Sequence, residues 1–321
     1  MGIYPEATIP IWLWVAFIAL ILSALALDLG VFHRRPAPPS IRGALAWTGV
    51  WIAAAMAFNV GVYFLYGRSA DAALKFFTAY VVEKSLSLDN IFVIAMIFAY
   101  FRVGSQYQHR VLFWGVLGAL VLRGAMIGAG VALIRAFSWT TYLFGGLLLL
   151  TAVKMLIARQ DNFEPEKSLW VRMARKIWPI ATGHAGPEFF VRLDGRRAIT
   201  PMFLVLILVE TSDILFAVDS VPAVFAVTQE PFIVYTSNVF AILGLRSLYF
   251  ALAGMMAKFR YLKMSIVFLL AYVGVKMMLV HHYPIPTLPS LAVIAGILSI
   301  GVVASFVGAK QDAAPPPDRS A

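Results

Sequence analysis

Residues Glu83–Asn90 have the sequence EKSLSLDN and residues Glu210–Ser220 have the sequence ETSDILFAVDS, each within a long apolar stretch. A charged side chain costs several kcal/mol at the centre of a bilayer, so ionisable residues there are candidates for a functional site. Each stretch holds two acids six residues apart, followed at once by a small polar residue: Glu83, Asp89 and Asn90 in the first, and Asp213, Asp219 and Ser220 in the second. A duplicated acidic pattern inside a membrane favours cation transport.

The composition is typical of a membrane protein. Of the 321 residues, 61% are hydrophobic and 13% are charged, whereas soluble domains carry about 25% charged residues. The formal net charge of +10 is best explained by Lys and Arg on one membrane face, and not by nucleic-acid binding. The chain contains no cysteine, which excludes disulfides, thiolate metal sites and cysteine catalysis.

Hydropathy predicts an all-α polytopic membrane protein of about nine transmembrane helices, because about 20 apolar residues cross the hydrocarbon core. Lys and Arg concentrate in alternate loops. The positive-inside rule then places the N-terminus outside and the C-terminus in the cytoplasm, which requires an odd number of spans. The predicted spans are residues 10–32, 43–66, 72–101, 111–134, 139–158, 200–228, 234–257, 262–281 and 287–308.

The second half of the chain repeats a pattern of the first half. An acid, an Arg and a Lys recur in the same order on successive spans: Asp89, Arg123 and Lys154, and then Asp219, Arg246 and Lys276. Each copy has three spans, an odd number, so the second copy is inverted, as in many transporters with a midplane site. The predicted divisions are two N-terminal helices in 1–70, the first repeat in 71–158, a cytoplasmic basic loop in 159–199, the second repeat in 200–283, a last helix in 284–308 and a disordered tail in 309–321.

Two segments of the basic loop have sequence patterns that predict structure. Ser168–Ile180 interleaves two Trp with basic residues, which indicates a helix on the anionic inner leaflet. Phe189–Thr200 has Asp194-Gly195 at its centre, a dipeptide typical of a hairpin turn, and so allows a small β-ribbon. The simpler interpretation, which we favour for the loop as a whole, is a solvated linker with an interfacial anchor.

Seven residues are the candidate metal ligands: Glu83, Asp89, Asn90, Glu210, Asp213, Asp219 and Ser220. Their oxygen atoms are hard donors suited to Mn²⁺, Ca²⁺ or Mg²⁺. Residues six apart on a straight helix point about 120° away from each other, so Glu83 and Asp89 face one ion only if the helix is broken. Pro222 weakens the second acidic stretch at the matching place. We therefore expect local helix breaks near both acidic pairs.

Five basic residues are predicted inside the membrane opposite the acids: Lys84, Arg123, Lys154, Arg246 and Lys276. We expect them to compensate the carboxylate charges, with a Lys or a proton occupying the site until a cation displaces it. Closely spaced carboxylates titrate as a group, so this exchange would couple metal flux to protons. The alternative is a set of structural ion pairs that carry no ion.

Four runs of the sequence resemble the TerC family, especially its Alx-type branch: LDLGVFHR from Leu27, EKSLSLDNIFVIAMIF from Glu83, FFVRLDGRRAITPMF from Phe189 and ETSDILFAVDSVPAVFAVTQEPFIVYTSNVFAILGLRSLYFALAG from Glu210. The resemblance implies a polytopic inner-membrane protein, historically tied to tellurium resistance, and manganese export for the Alx-like members. The family's acidic motif falls on the seven candidate ligands. An acidic intramembrane site would repel tellurite, an oxyanion, so the tellurium link would be indirect.

These observations favour a divalent metal ion exporter, for Mn²⁺ first and Ca²⁺ as the alternative, that is not an enzyme and holds no cofactor. The expected partners are the metal ion and membrane lipid, without nucleic acid. One other hypothesis is an intramembrane aspartyl protease, although such enzymes have YD and GxGD motifs where this chain has LDN and VDS. The third hypothesis is a non-transporting scaffold for membrane-protein assembly or tellurium resistance.

Overall fold

The computed structural model of the chain describes residues 9–32, 40–157, 169–181, 186, 188–193, 196–252 and 262–312. Within these residues the protein is helical except for one two-stranded ribbon. The elements are α1 (Ile11–Phe32), α2 (Ile41–Leu65), α3 (Ala70–Tyr100), α4 (Ser105–Ala136), α5 (Thr140–Ile157), α6 (Leu169–Ile177), β1 (Phe190–Leu193), β2 (Arg196–Ile199), α7 (Pro201–Phe225), α8 (Pro231–Leu243), α9 (Leu245–Leu252), α10 (Leu262–Leu279) and α11 (Thr287–Asp312).

Each of the predicted spans falls on a helix of the described residues, with α8 and α9 together forming the seventh. Six of these segments are long and apolar enough to cross a membrane: α2, α4, α5, α7, α8 with α9, and α11. Helices α1 and α10 contain shorter apolar stretches, and α3 is long but carries the first acidic stretch. The helical architecture is confirmed, while the number of nine crossings stays a prediction.

Three features of the architecture differ from the sequence-based expectation. The chain is not all-α, because β1 and β2 pair antiparallel with Phe190 opposite Ile199. The expected break in α3 is absent, and α7 likewise continues through Pro222 to Phe225. The interruption lies instead in the seventh span, where α8 ends at Leu243 and α9 begins after Gly244. A backbone carbonyl at this interruption, Ala241 O, accepts a hydrogen bond from Lys84 Nζ.

Some of the predicted features fall on parts of the chain outside the described residues. These are the Asp194-Gly195 turn, loop residues 158–168 and most of the predicted tail. The last helix, α11, continues to Asp312, four residues beyond the predicted span.

Polar caps mark where several helices begin. The hydroxyl of Ser69 accepts a hydrogen bond from Ala72 N at the start of α3, and Ser40 does the same for Gly43 N at the start of α2. Thr200 caps α7, where Pro201 occupies the first helical position. A capping hydroxyl satisfies one of the four free N–H groups at a helix start, and Pro fits there because its missing N–H is not needed.

The α8–α9 segment is the central helix of the bundle, because nearly all of its residues are buried. An aromatic cluster packs it against α1, α2 and α3, with Phe58 lying 4.9 Å from Phe240 and 5.5 Å from Phe76 between ring centroids. On the other side of the bundle α5 packs closely on α10. A Cβ at Gly145 would lie 3.0 Å from the carbonyl oxygen of Gly274, so only glycine allows this approach.

Helix α6 and the ribbon pack at the start of α7. The apolar cluster there joins Val171 and Ala174 of α6 with Ile199 of β2 and with Val205 and Val209 of α7. This small subdomain closes the same end of the bundle as the first turns of α4 and α7. A helix and a β-ribbon are therefore both present in these segments, so the loop is not a plain linker there, while the interfacial position of α6 stays a prediction.

Candidate functional site

A buried arginine lies at the centre of the bundle. The side chain of Arg123 on α4 is enclosed, with 1% of the residue exposed. Its guanidinium donates to Oε1 of Glu83 on α3. It also donates to both carboxylate oxygens of Asp213 on α7, from Nη2 to Oδ1 at 2.9 Å and from Nε to Oδ2 at 3.2 Å. Arginine suits this position because its planar fork binds a carboxylate through two parallel hydrogen bonds.

Neutral side chains complete the arrangement. Nη1 of Arg123 also donates to Ser220 Oγ at 3.2 Å and to Asn238 Oδ1 at 3.3 Å. Asn90 Nδ2 donates to Asp213 Oδ1 at 3.1 Å. Helices α3, α4, α7 and α8 thus meet at one polar centre. We call it the Arg123 cluster, and its members are Glu83, Asn90, Arg123, Asp213, Ser220 and Asn238.

Helix geometry explains which residues of the acidic stretches reach this cluster. Residues seven apart on an α-helix lie on the same face, whereas residues six apart point about 120° away from each other. Glu83 and Asn90 on the unbroken α3 therefore converge, as do Asp213 and Ser220 on α7. The unit that is duplicated at the cluster is an acid and the small polar residue seven positions later, and not the two acids that the sequence analysis paired.

The second acid of each pair points elsewhere. Asp219 accepts a hydrogen bond from Thr151 Oγ1 on α5 at 2.8 Å, and the ammonium of Lys154 is close enough to interact with it electrostatically. Asp89 lies half-buried on α3, outside the Arg123 cluster. The predicted charge compensation of Asp219 by Lys154 stays a prediction.

Glu210, another predicted ligand, lies beside the cluster. It precedes Asp213 by one turn of α7, and the two carboxylates interact electrostatically. Its carboxylate occupies the space above Gly118 of α4, where a Cβ on that glycine would overlap it. Oε2 of Glu210 is buried without a hydrogen-bond partner among the described residues. Glycine at this position allows a carboxylate to fit between α4 and α7.

Two of the remaining basic residues donate to neutral oxygens. Lys84 Nζ donates to the carbonyl oxygen of Ala241, near the end of α8, at 3.0 Å. Lys276 Nζ donates to Ser290 Oγ on α11 at 3.0 Å. Arg246 is buried on α9. Among the five residues predicted to compensate charge, Arg123 binds two acids, while Lys84 lies at the negative end of the α8 dipole.

Oxygen atoms on one face of α3 lack hydrogen-bond partners among the described residues. They are Oε2 of Glu83, Oγ of Ser87 and Oδ1 of Asn90, on residues that are 0%, 1% and 3% exposed. The Ser85 hydroxyl, in contrast, donates to Val81 O one turn earlier. A buried polar atom without a partner costs about 1–3 kcal/mol, and an unplaced water or ion is one common reason for it.

A small cavity of about 30 Å³ adjoins the cluster, which is enough space for a water molecule. Asn90, Ser212 and Asp213 are its polar lining residues, while apolar residues of α3, α4, α7, α8 and α9 form the remainder. The small residues of α4 leave this space open. The cavity therefore gives a water molecule or a dehydrated ion a place beside the Asp213 carboxylate.

The charges of the cluster do not cancel. Glu83 and Asp213 contribute two carboxylates and Arg123 one guanidinium, which leaves one negative charge when all three are ionised. Within the residues that the structure describes, no three acidic or histidine side chains converge as a preformed metal site. Arg123 occupies the point on which the carboxylates converge.

Sequence reasoning missed two contributors, Asn238 and Thr151. Asn238 is a polar residue in the middle of the most deeply buried helix, and a buried amide there was a usable signal. Thr151 follows a run of four Leu on α5 and has no such signal, because a single Thr is common in membrane helices.

Comparison with known proteins gives the family. The sequence profile of the "Integral membrane protein TerC family" matches residues 68–313. The chain belongs to the TerC family. It is 47% identical to "Uncharacterized membrane protein STKORF319" of Myxococcus xanthus, over 97% of both chains. It is 44% identical to "Putative membrane-bound redox modulator Alx" of Escherichia coli K12, over 94% of this chain and 96% of the relative.

The family and the relatives make this TerC protein an integral membrane protein, as the sequence predicted. A further relative, "Uncharacterized membrane protein" of Rickettsia bellii, is 38% identical over 92% of this chain and 97% of its own. No solved structure matches the chain significantly. The predicted resemblance to the Alx branch is confirmed by the relatives that carry that name.

Proposed function

We propose that this TerC protein exports a divalent metal ion, Mn²⁺ first and Ca²⁺ as the alternative, from the cytoplasm across the inner membrane. The observation that carries the proposal is the Arg123 cluster with its surplus carboxylate and the unpartnered oxygens on α3. Hard cations bind carboxylate, amide and hydroxyl oxygens. A buried negative charge in a membrane attracts a cation and excludes an anion.

The packing of the two proposed repeats supports a transporter with inverted halves. Helix α3 corresponds to α7, α4 to α8 with α9, and α5 to α10. When each helix is replaced by its counterpart in the other repeat, the contact between α3 and α8 becomes a contact between α7 and α4. Both contacts are present. The cluster lies where the halves meet, which is the usual place for a transporter site.

The cavity supports an ion path from the cytoplasm. In the predicted orientation, most of its lining residues lie on the cytoplasmic side of the cluster, and Phe216 of α7 lies level with the cluster between Asp213 and Ser220. Asn90 and Asp213 would be the first cluster oxygens that an entering ion meets. Glu210, held over Gly118 beside Asp213, adds a further carboxylate near this entrance.

We infer that Arg123 is the internal counter-cation of the empty site. While its guanidinium binds Glu83 and Asp213, the carboxylates are not available to an ion. A divalent cation that enters would take the two carboxylates as Arg123 withdraws, because the buried charges need a positive partner at every stage. Protons that replace the cation after release would give the predicted coupling of metal flux to protons.

Catalysis by an aspartyl dyad is a weaker proposal for this geometry. A dyad needs two Asp side chains that share one proton. The candidate pair is Asp89 on α3 and Asp219 on α7, and the Asp219 carboxylate accepts a hydrogen bond from Thr151 on α5. The name "redox modulator" of the relatives would also need chemistry other than thiols here, because the chain has no cysteine.

The test is metal uptake into inside-out vesicles that contain a metal-sensing dye, comparing Mn²⁺, Ca²⁺ and Mg²⁺. We expect Mn²⁺ uptake by the wild type and its loss in Asp213→Asn. Asp71→Asn is the matched control, because Asp71 is an exposed carboxylate on α3 paired with Lys75. Gel filtration of each variant reports whether it is folded.

Two results would contradict the proposal, the first its transport function and the second its site. The first is an absence of cation flux in the wild type with or without a pH gradient, which would favour the scaffold hypothesis. The second is unchanged uptake in a folded Asp213→Asn protein, which would remove the Arg123 cluster from the ion path.

A further inference from the structure

Helix α6 has three distinct faces. Val171 and Ala174 are buried in the apolar cluster shared with α7. A second face is apolar and exposed, with Leu169 70%, Trp170 52%, Met173 52% and Ile177 61% accessible. The third face carries the exposed basic residues Arg172, Arg175 and Lys176. At about 100° per residue, the apolar face adjoins the basic face at Arg172 and Lys176.

The position of α6 relative to the bundle is set by backbone hydrogen bonds. Ile199 N donates to Pro179 O, and Ala181 N donates to Ile199 O, both at 2.9 Å. Ile199 directly precedes Thr200, the N-cap of α7. The segment after α6 is therefore hydrogen-bonded to Ile199, the residue before the N-cap of the membrane-capable helix α7. These bonds hold α6 at the height where α7 begins.

We propose that α6 is a lipid-docking helix, whose exposed apolar face inserts into the cytoplasmic leaflet while Arg172 and Lys176 bind anionic headgroups. This inference does not depend on the transport proposal. An exposed apolar stripe of this kind in water marks a binding surface. A stripe flanked by basic residues, with Trp beside it, matches the boundary between acyl chains and anionic headgroups.

Charge complementarity favours lipid over a protein partner. The cytoplasmic leaflet carries a negative surface potential that attracts basic segments within about one Debye length. The neighbouring ribbon adds Arg192, Arg196 and Arg197, all exposed. Long basic side chains keep their charges at the headgroups while their stems lie along apolar surface. The whole subdomain therefore presents positive charge on the side of the bundle where the predicted orientation places the cytoplasm.

The absence of cysteine from the chain makes single-cysteine labelling straightforward. The full-length protein would carry an environment-sensitive dye at Met173→Cys, on the apolar face, or at Arg175→Cys, on the polar face of the same helix as the control. Each protein is placed in nanodiscs of phosphatidylglycerol or of phosphatidylcholine. Quenching is measured with nitroxide-labelled lipid and with aqueous iodide, after circular dichroism has shown that the variant is folded.

We expect lipid nitroxides to quench the dye at Met173→Cys and iodide to quench the dye at Arg175→Cys. Lipid quenching at Met173→Cys should be stronger with phosphatidylglycerol, and Arg172→Gln/Lys176→Gln should reduce it to the phosphatidylcholine level. Iodide quenching at Met173→Cys would overturn the proposal, because the face would be in water. Shielding from both quenchers would also overturn it, because protein would cover the face. Equal quenching in the two lipids would overturn the role of the basic side chains.

Discussion

At the scale of single residues, Arg123 determines how the charges of the bundle are arranged. It contacts two carboxylates and two neutral oxygens from three other helices. A lysine could not replace these contacts, because an ammonium is a point charge with three donors and cannot form a bidentate pair. The side chain is therefore both a structural link and, in our proposal, the group that holds the site until a cation enters.

The residue-scale prediction is that Arg123→Gln destabilises the protein by about 3–5 kcal/mol, because it leaves two buried carboxylates without a cation. Thermal unfolding in detergent measures the change. The double variant Glu83→Gln/Arg123→Gln restores the formal charge of the cluster to its original value, so we expect it to recover part of the loss. If the double variant is destabilised as much as Arg123→Gln or more, the two side chains stabilise the protein through their packing and not through their charge balance.

At the scale of secondary-structure elements, the broken span is α8–α9 and not α3 or α7. Gly244 separates the two helices, and Lys84 donates to Ala241 O at the end of α8. The break adjoins the cavity, which Ile242 and Leu245 help to line. Discontinuous helices are common at transporter sites because their free backbone groups can bind charge. Here the charged group bound by the backbone is the ammonium of Lys84 on α3.

The element-scale prediction concerns this break. A Cβ at Gly244 would lie 2.8 Å from Lys84 Nζ and 3.3 Å from Trp51 Cβ. We expect Gly244→Ala to destabilise the protein by about 1–3 kcal/mol, as overpacking does in other buried sites. Gly296→Ala on α11 is the control, because nothing lies within 4 Å of its added Cβ and alanine favours a helix. Unfolding midpoints that shift equally in both variants would contradict the tight contact at the break.

At the scale of the whole molecule, the subdomain of α6 and the ribbon lies at one end of the bundle, and the predicted outer loops lie at the other. The apolar cluster that holds α6 also includes Ile94, Leu112 and Val209, which line the cavity. The subdomain and the cavity therefore share one packed core. The basic loop of the sequence therefore packs against the end of α3 and the beginnings of α4 and α7.

The molecule-scale prediction is the topology. Arg192 and His282 are both exposed and are separated by three predicted crossings, so they should lie on opposite sides of the membrane. In spheroplasts, a membrane-impermeant maleimide should label His282→Cys directly and Arg192→Cys only after the membrane is opened. Direct labelling of both variants would show that one of α7, α8–α9 and α10 does not cross. The reverse pattern would place the C-terminus outside.

The sequence by itself determined the class of the protein, the approximate span positions and the two acidic stretches. Long apolar runs leave little choice of structure in lipid, because every backbone group must be satisfied within a helix. Charges such as Glu83 and Asp213 are conspicuous in those runs for the same reason. Helix α6 was also readable, since its apolar and basic residues alternate at helical spacing.

Only the tertiary structure decided which of these charges meet. Glu83 and Asp213 are 130 positions apart in sequence, and their shared partner Arg123 belongs to a third helix. The rotation of each helix about its axis selects Asn90 and Ser220 for the cluster and turns Asp219 towards Thr151. That rotation is set by packing around the whole helix, including the contacts of α8, and local spacing carries no information about it.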